Sequence, residues 1–417
     1  MKIKINQVKY ILIISILFLY VFRGAASKFR IANLSYALTA LLVIICFVTI
    51  SKRYRIPNAV FIYFIAGILS LITTFFSLEH YGVLAGSIGF AAANMNLILW
   101  LLFYESLETE RIQIFIYQYI KVIIIFAIIS AILGIYQTFI DPSLKGFATN
   151  EIYSNAELLS TGQYVRRATA LFGSAQNYGV FEGIAFCMLF YTENKKTIFW
   201  FMGLAILGMG VLVSGSRSAS VCVVITLFFS VIYVLKKSKI QKRQILFLAF
   251  LLIPFSFCII KAAPHILNAR TLGRLTDFSI APAAAEAYKK AVVGSGIKEF
   301  FLGRGFGFSS WTTHQFLGER IYKAAYGTAY YSVESFFMHT LAQGGSLGMF
   351  ASLFFMLSTM WIAWKSNNRC IFLVNFCLFV NQIFTPSFTG LAISFIFWPL
   401  VLYPLIQRNR ENCKNNF

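Results

Sequence analysis

Apolar runs close to the length of a membrane-crossing helix follow one another along almost the whole of this chain. That pattern closes off most of the folds otherwise open to 417 residues. The runs are continuous and lack the amphipathic spacing by which a helix of a soluble domain keeps one polar face. Hydrophobic residues make up 59% of the sequence against 12% charged, and the mean hydropathy is +0.73. Against the roughly 20 apolar residues that one helical span needs, about twelve segments qualify. They lie near 9–22, 33–50, 58–77, 82–103, 113–139, 177–191, 197–213, 218–235, 244–261, 334–364, 370–385 and 388–406. The expected fold is therefore all-α: a polytopic integral membrane protein of about 12 transmembrane helices.

Orientation follows from lysine and arginine in the short connections. With Lys2, Lys4 and Lys9 cytoplasmic, the alternation of twelve spans puts four later basic groups inside: Lys52, Arg53 and Arg55; Lys195 and Lys196; Lys236, Lys237, Lys239, Lys242 and Arg243; and Lys365 with Arg369. Arg408, Arg410 and Lys414 then make a cytoplasmic tail, and Arg23, Lys28 and Arg30 in the first outer connection break the rule. The net charge of +21 reads as a topology signal and as attraction to anionic lipid. Its division among connections on both faces argues against a nucleic-acid stripe. The chain divides into helices 1–5 over residues 1–139, a long outer loop over 140–176, helices 6–9 over 177–261, a large outer loop over 262–333, and helices 10–12 with the tail over 334–417. Long loops in a compact protein are usually functional. The larger one carries an amphipathic helical stretch around Pro282 to Phe300 and a glycine-rich turn, Leu302-Gly-Arg-Gly-Phe-Gly-Phe308.

Five of the seven cysteines, Cys46, Cys187, Cys222, Cys258 and Cys377, fall in predicted spans, and Cys370 and Cys413 fall on the cytoplasmic side. No outer disulfide and no zinc spacing result. The first apolar run has no small-residue cleavage site followed by a soluble domain, so it reads as a retained helix. Only two aspartates occur, Asp141 and Asp277, so no Asp-x-Asp pair exists to hold a divalent metal on a nucleotide-sugar. No metal site and no cofactor are expected.

All four histidines, His80, His265, His314 and His339, map to the outer side or its helix ends. Three segments gather polar residues there. Tyr164 to Gly179 contains Arg166 and Arg167 and runs into helix six. Ser214-Gly-Ser-Arg-Ser-Ala-Ser220 forms the turn between helices seven and eight, with Ser216 or Ser218 able to cap the second helix. Val333 to Met349 leaves the large loop and begins helix ten. Arginine beside helix N-terminal amides is a cradle for phosphate oxygens, although Arg167 and Arg217 also fit the plainer role of interface anchors. Glu334 would lie at the outer boundary and His339 about one and a half turns deeper. Each has a structural alternative, a dipole-facing cap for Glu334 and a neutral packing histidine for His339. Glu182, one turn into helix six, is an intramembrane acid that reads as structural before catalytic. Tyr326, Tyr330 and Tyr331 fit either sugar stacking or interface anchoring.

Taken together, the three segments and the glycine-rich turn resemble the O-antigen polymerase and O-antigen ligase family of bacterial surface-polysaccharide enzymes. That family shows an Arg-x-x-x-x-Phe-x-x-Pro-Asn-like start to a mid-chain helix, a Ser-Arg pair opening a later helix, and a large periplasmic loop. The loop has a glycine-rich turn and ends in a helix start followed by Gly-x-x-Gly. Arg167 to Gly179, Ser216-Arg217, Gly303 to Gly307 and Glu334 to Gly348 follow that order, over residues 160 to 350. Ala175-Gln176-Asn177 replaces the Pro-Asn, and Glu334 stands where the ligases tend to carry histidine, which favours a polymerase.

The resemblance implies a bacterial inner-membrane enzyme with both termini cytoplasmic and the large, partly helical loop in the periplasm. Its donor would be an undecaprenyl-pyrophosphate-linked oligosaccharide, and a polysaccharide chain-length regulator would be a partner. Arg167 and Arg217, helped by Arg166, Arg270, Arg274 and Arg304, would stabilise the departing pyrophosphate. Glu334 or His339 would withdraw the acceptor proton. Two other functions stay open: a ligase passing glycan to lipid A core, and a lipid-linked oligosaccharide flippase or transporter. A transporter should keep its polar groups near the bilayer midplane, whereas the sequence gathers them at one edge.

Overall fold

The computed structural model describes residues 2–50, 56–77, 82–141, 144, 157–158, 164–165, 168–172, 174–192, 197–236, 296–308, 311–326, 335–384 and 391–415. Within these the chain is helical apart from one short antiparallel pair, Glu157–Leu158 against Tyr164–Val165. The helices are α1 (Lys2–Val21), α2 (Arg23–Lys28), α3 (Leu34–Thr49), α4 (Asn58–Ser77), α5 (Gly82–Glu105), α6 (Thr109–Phe139), α7 (Ala175–Thr192), α8 (Ile198–Ser214), α9 (Arg217–Lys236), α10 (Ile297–Leu302), α11 (Trp311–Tyr326), α12 (Phe336–Lys365), α13 (Arg369–Phe384) and α14 (Leu391–Asn415).

Every predicted run except 244–261, which lies outside the described residues, coincides with a helix, but α1 starts well before its run, at Lys2, and α14 continues well past its run to Asn415, taking in the expected tail. By length and composition α4, α6 and α12 can cross a membrane, as can α5 if its two parts, bent by 47° at the join of Ala91 and Ala93, count as one span. Parts of α1, α3, α8, α9 and α13 are apolar but shorter. The amphipathic stretch expected at Pro282 to Phe300 is described only from residue 296, and α10 begins at Ile297.

The chain forms two compact units. The first holds Met1–Val21, Ile31–Ile123 and Ile280–Phe417, so the C-terminal helices complete the N-terminal ones. Its interior is a cluster of rings around Trp100, with Phe103, Phe115, Tyr119 and Phe395 at centroid distances of 5.3, 6.0, 5.6 and 5.3 Å. α14 carries Pro399 and Pro404 inside the helix. Neither proline has an N–H for the carbonyl four residues back, and such an orphan must be paired in an apolar interior. The Trp100 indole donates to the Phe395 carbonyl at 2.9 Å, and the Asn375 amide donates to the Leu400 carbonyl at 3.3 Å. Tyr104 and Tyr119 add hydroxyl donors to the carbonyls of Pro399 and Ile396, at 2.7 and 2.9 Å.

At the C-terminal end of α5 two cations are buried. Arg410, 1% exposed, donates to the carbonyls of Leu107 at 2.9 Å and Tyr104 at 2.6 Å. Lys9 donates to the Ser106 hydroxyl at 2.8 Å. Cations at a helix C-terminus satisfy its last carbonyls and meet its dipole. These two residues, expected as loop charges that set topology, also tie the start of α1 and the end of α14 to the same end of α5.

The second unit holds Phe22–Arg30 and Ile124–Ser279. α7 is its centre, buried from Tyr178 to Leu189 and packed against α8 and α9. Small residues set the spacing. Gly179 lies against Ser214 and Ser216, Gly183 against Ala219, and Gly210 against Ala131, the close approach that small-xxx-small patterns permit between membrane helices. The Thr197 hydroxyl caps α8 by accepting from the Trp200 amide at 3.3 Å. Gly215, with φ of +59°, ends it.

Candidate functional site

Candidate residues from the sequence fall in both units. In the first, the decisive feature is a break in α12. Gly345 has φ +63° and ψ −163° inside the helix, so the amides that follow cannot reach the carbonyls of Ala342 and Gln343. The glycine-rich turn supplies the missing donors: the Arg304 amide bonds the Ala342 carbonyl at 2.9 Å and the Gly305 amide bonds the Gln343 carbonyl at 2.9 Å. The Ser70 hydroxyl of α4 also donates to the Gln343 carbonyl at 2.8 Å, and the Gln343 side chain returns a bond to the Phe308 carbonyl at 2.9 Å. The Phe306 amide donates to the Thr74 hydroxyl at 2.7 Å. Non-helical backbone is tolerated here because its freed carbonyls are paired by protein donors. The approach is so close that a Cβ on Gly345 would collide with the Phe301 carbonyl group.

Beyond the break, residues 346–365 extend about 30 Å at 1.5 Å per residue, the thickness of a bilayer core. Residues 336–344 are then a separate short helix, and they carry His339. The Ser335 hydroxyl anchors its start by donating to the Gln382 carbonyl of α13 at 3.2 Å. His339, 7% exposed, lines a cavity of about 50 Å³ with Asn94, Gln343, Phe306, Tyr63 and Trp398. A cavity of that size holds a few waters and must open further to admit a sugar. Arg304 is half-buried, with its guanidinium 5.2 Å from the centroid of the Phe308 ring.

The sequence singled out Arg304 and His339 separately. The structure holds the Arg304 main chain on Ala342, three residues and so about one turn from His339. It also shows what the sequence reading missed. Asn94 and Asn96 are buried mid-way along α5, and Asn375 mid-way along α13. Polar groups are therefore not confined to one edge. The available signal was an asparagine pair inside an apolar run.

In the second unit, Ser174 starts α7 by accepting from the Asn177 amide at 3.1 Å, a cap that serves where the resembled family has Pro-Asn. Residues 168–172 form a tightly held turn. The amides of Thr169 and Ala170 both donate to the Gln137 side-chain oxygen at 2.9 Å, and the Leu171 carbonyl accepts from Gly24 at 2.8 Å. Ala170 is buried with φ of +47°, a conformation that needs such surroundings to persist. The Ala168 amide donates to the Val213 carbonyl at 3.0 Å. This bond brings the turn that follows Arg167 in sequence to the end of α8, four residues before Arg217.

Arg217 is the first residue of α9 and half-buried. Before it, the Ser216 amide donates to the Ser214 hydroxyl at 3.1 Å, and the Ser216 and Ser218 hydroxyls pair at 3.2 Å. A guanidinium beside the amides of a helix start suits an oxyanion. Gln137, which organises the turn, was not foreseen, since nothing in its local sequence marks it.

Arg166, Arg167, Arg270, Arg274, Glu334, Tyr330 and Tyr331 lie outside the described residues, as do His80 and His265. Among the described residues no group of histidine, cysteine, aspartate and glutamate is arranged to hold a metal. Compared with known proteins, the chain matches no family model, and none of the curated proteins is similar to it.

Proposed function

We propose that this protein is a polymerase of O-antigen or a related surface polysaccharide, a twelve-span enzyme of the bacterial inner membrane with both termini cytoplasmic and its large loop periplasmic. It joins undecaprenyl-pyrophosphate-linked repeat units, with the lipid pyrophosphate leaving. The observation that carries the reading is the clasp between Gly303–Phe308 and the broken start of α12. It binds the arginine-bearing turn of the long loop to the helix turn of His339, as expected of a cleft built from cation and base. A second support is the Ala168 to Val213 bond, which joins the two arginine segments of the resemblance within one unit.

In this mechanism Arg217, with Arg167, Arg166, Arg270, Arg274 and Arg304, meets the charge developing on the pyrophosphate. Glu334 or His339 takes the proton of the acceptor hydroxyl. The glycosyl pyrophosphate bond supplies the driving force, so no nucleotide is needed.

The test is incubation of purified protein with the host's lipid-linked repeat unit, without nucleotide or metal, and separation of products on a gel. A ladder is expected, with Arg217→Ala lowering its rate by roughly 10²–10³ while leaving insertion intact. Glu334→Gln should be more damaging than His339→Ala, and the reverse ranking moves the base to His339. Full activity of Arg217→Ala removes the pyrophosphate site. Transfer to lipid A core in place of a ladder makes the protein a ligase.

One observation favours a second reading, a lipid-linked oligosaccharide flippase. The bent α5, the broken α12 and the proline-bearing α14 meet around a cavity lined by Asn94 and Gln343, as interrupted helices do in transporters. Movement of the lipid across vesicles with no glycan transfer would establish it.

A further inference from the structure

Three polar side chains in the second unit are buried without hydrogen-bond partners and share one place. Glu182 is 0% exposed and both of its carboxyl oxygens lack a partner. The hydroxyls of Tyr178 and Ser130, 0% and 1% exposed, lack one too. Tyr178 and Glu182 stand four residues apart, on the same face of α7, and Ser130 of α6 sits beside the Glu182 carboxyl. Glycines make the space. A Cβ on Gly134 would collide with the Tyr178 hydroxyl, and one on Gly210 would come within 3.1 Å of that hydroxyl and 3.3 Å of Glu182 Cγ.

An isolated carboxylate in a dry helical interior carries a solvation penalty of several kcal/mol unless a positive charge accompanies it. No lysine, arginine or histidine forms an ion pair with Glu182 among the described residues. From α6 it is faced by Ser130, Ala131 and Gly134, and from α8 by Gly210, while α9 meets α7 at Gly183 through Ala219. Tyr178 is the titratable neighbour. Calcium and magnesium each require six or more oxygen ligands, and one carboxylate with two hydroxyls falls short. A proton needs only two oxygens.

We propose that Ser130, Tyr178 and Glu182 form a proton-binding site in the buried interior between α6 and α7. With the proton bound, the Glu182 acid group donates to the Ser130 hydroxyl while its carbonyl oxygen accepts from Tyr178. When the proton leaves for water, both hydroxyls turn to donate to the carboxylate. The two states differ by one proton, and no other group changes its charge. The site is independent of the polymerase reading, since none of its residues belongs to the arginine or His339 groups. Its state can nevertheless reach the Arg217 turn, because Gly179, just before Glu182 on α7, packs on Ser214 and Ser216.

The test is infrared difference spectroscopy of the full-length protein in lipid nanodiscs. At neutral pH the carbonyl stretch of a protonated carboxylic acid should be present and should be lost in Glu182→Gln, which mimics the neutral side chain. Tyr178→Phe and Ser130→Ala should shift that band to higher frequency as each hydrogen bond goes, which keeps the test decisive should Glu182→Gln fold poorly. A neutral-pH spectrum with no acid band that these variants alter overturns the proposal. So does an acid band that disappears on adding sodium, which would make the ligand a metal cation.

Discussion

The pairing of Trp100 with the carbonyl released by Pro399 can be tested by a double-mutant cycle. Trp100→Phe removes the indole N–H that reaches the Phe395 carbonyl at 2.9 Å and keeps one aromatic ring among Phe103, Phe115, Tyr119 and Phe395. Because residue 399 is proline, no helical amide can replace the lost donor. Leaving a buried carbonyl unpaired costs about 1–3 kcal/mol, and the space left by the smaller ring adds roughly 1 kcal/mol. A total near 2–4 kcal/mol is expected from these two contributions. In a Pro399→Ala background the backbone amide gained at that position points at the same carbonyl, so only the packing part should remain and Trp100→Phe should cost about 1 kcal/mol. The coupling energy is then about 1–3 kcal/mol, a large value for a membrane interior. Reversible unfolding by SDS in mixed micelles, followed for all four variants, measures it. Equal costs of Trp100→Phe in both backgrounds would refute the reasoning, because the carbonyl would then not have depended on the indole.

Three further outcomes are expected. Gly345→Ala should lower stability by more than about 3 kcal/mol, the strain of a left-handed residue plus a clash. Gly318→Ala, with φ of +73° and open space around it, should lower it by about 1–2 kcal/mol. Thermal unfolding in detergent distinguishes them, and equal losses would mean that the clasp yields easily. Arg410→Ala should cost about 2–4 kcal/mol by stripping two carbonyls of a charged donor. An unchanged midpoint in the same assay would make Arg410 a topology charge alone.

The positions of the helices were legible because hydrophobicity sustained over some 20 residues is a strong local signal. α4, α6 and α12 stand where their runs predicted. What was not legible was contact across long stretches of chain. Lys9 and Arg410 read as loop charges, yet they end on Ser106, Leu107 and Tyr104, whose distance in sequence hides the pairing. The glycine-rich turn was legible as a turn, but its docking on α12 depends on a break at Gly345 that the Gln343-Gly-Gly-Ser346 sequence only hints at. Arg217 and His339 stand out as candidates by residue type and position. Gln137, Gln343, Thr74 and Ser70, which hold the segments in place, carry no motif. Glu182 reads as an acid in a span, while nothing in the sequence links it to Ser130 or Tyr178.

The hydrogen bonds that close the first unit also dictate an order of events during biosynthesis. Trp100, Tyr104 and the carbonyl of Leu107 wait for partners 295 to 303 residues further along the chain. At about 5–20 residues per second of synthesis, roughly 15–60 s pass before α14 leaves the ribosome. During that interval the indole and phenol of α5, and the Leu107 carbonyl just beyond its end, are without their final partners. The early helices are thus an incomplete intermediate, and a chain that stops short of α14 presents a polar stripe that quality-control proteases of the membrane can recognise.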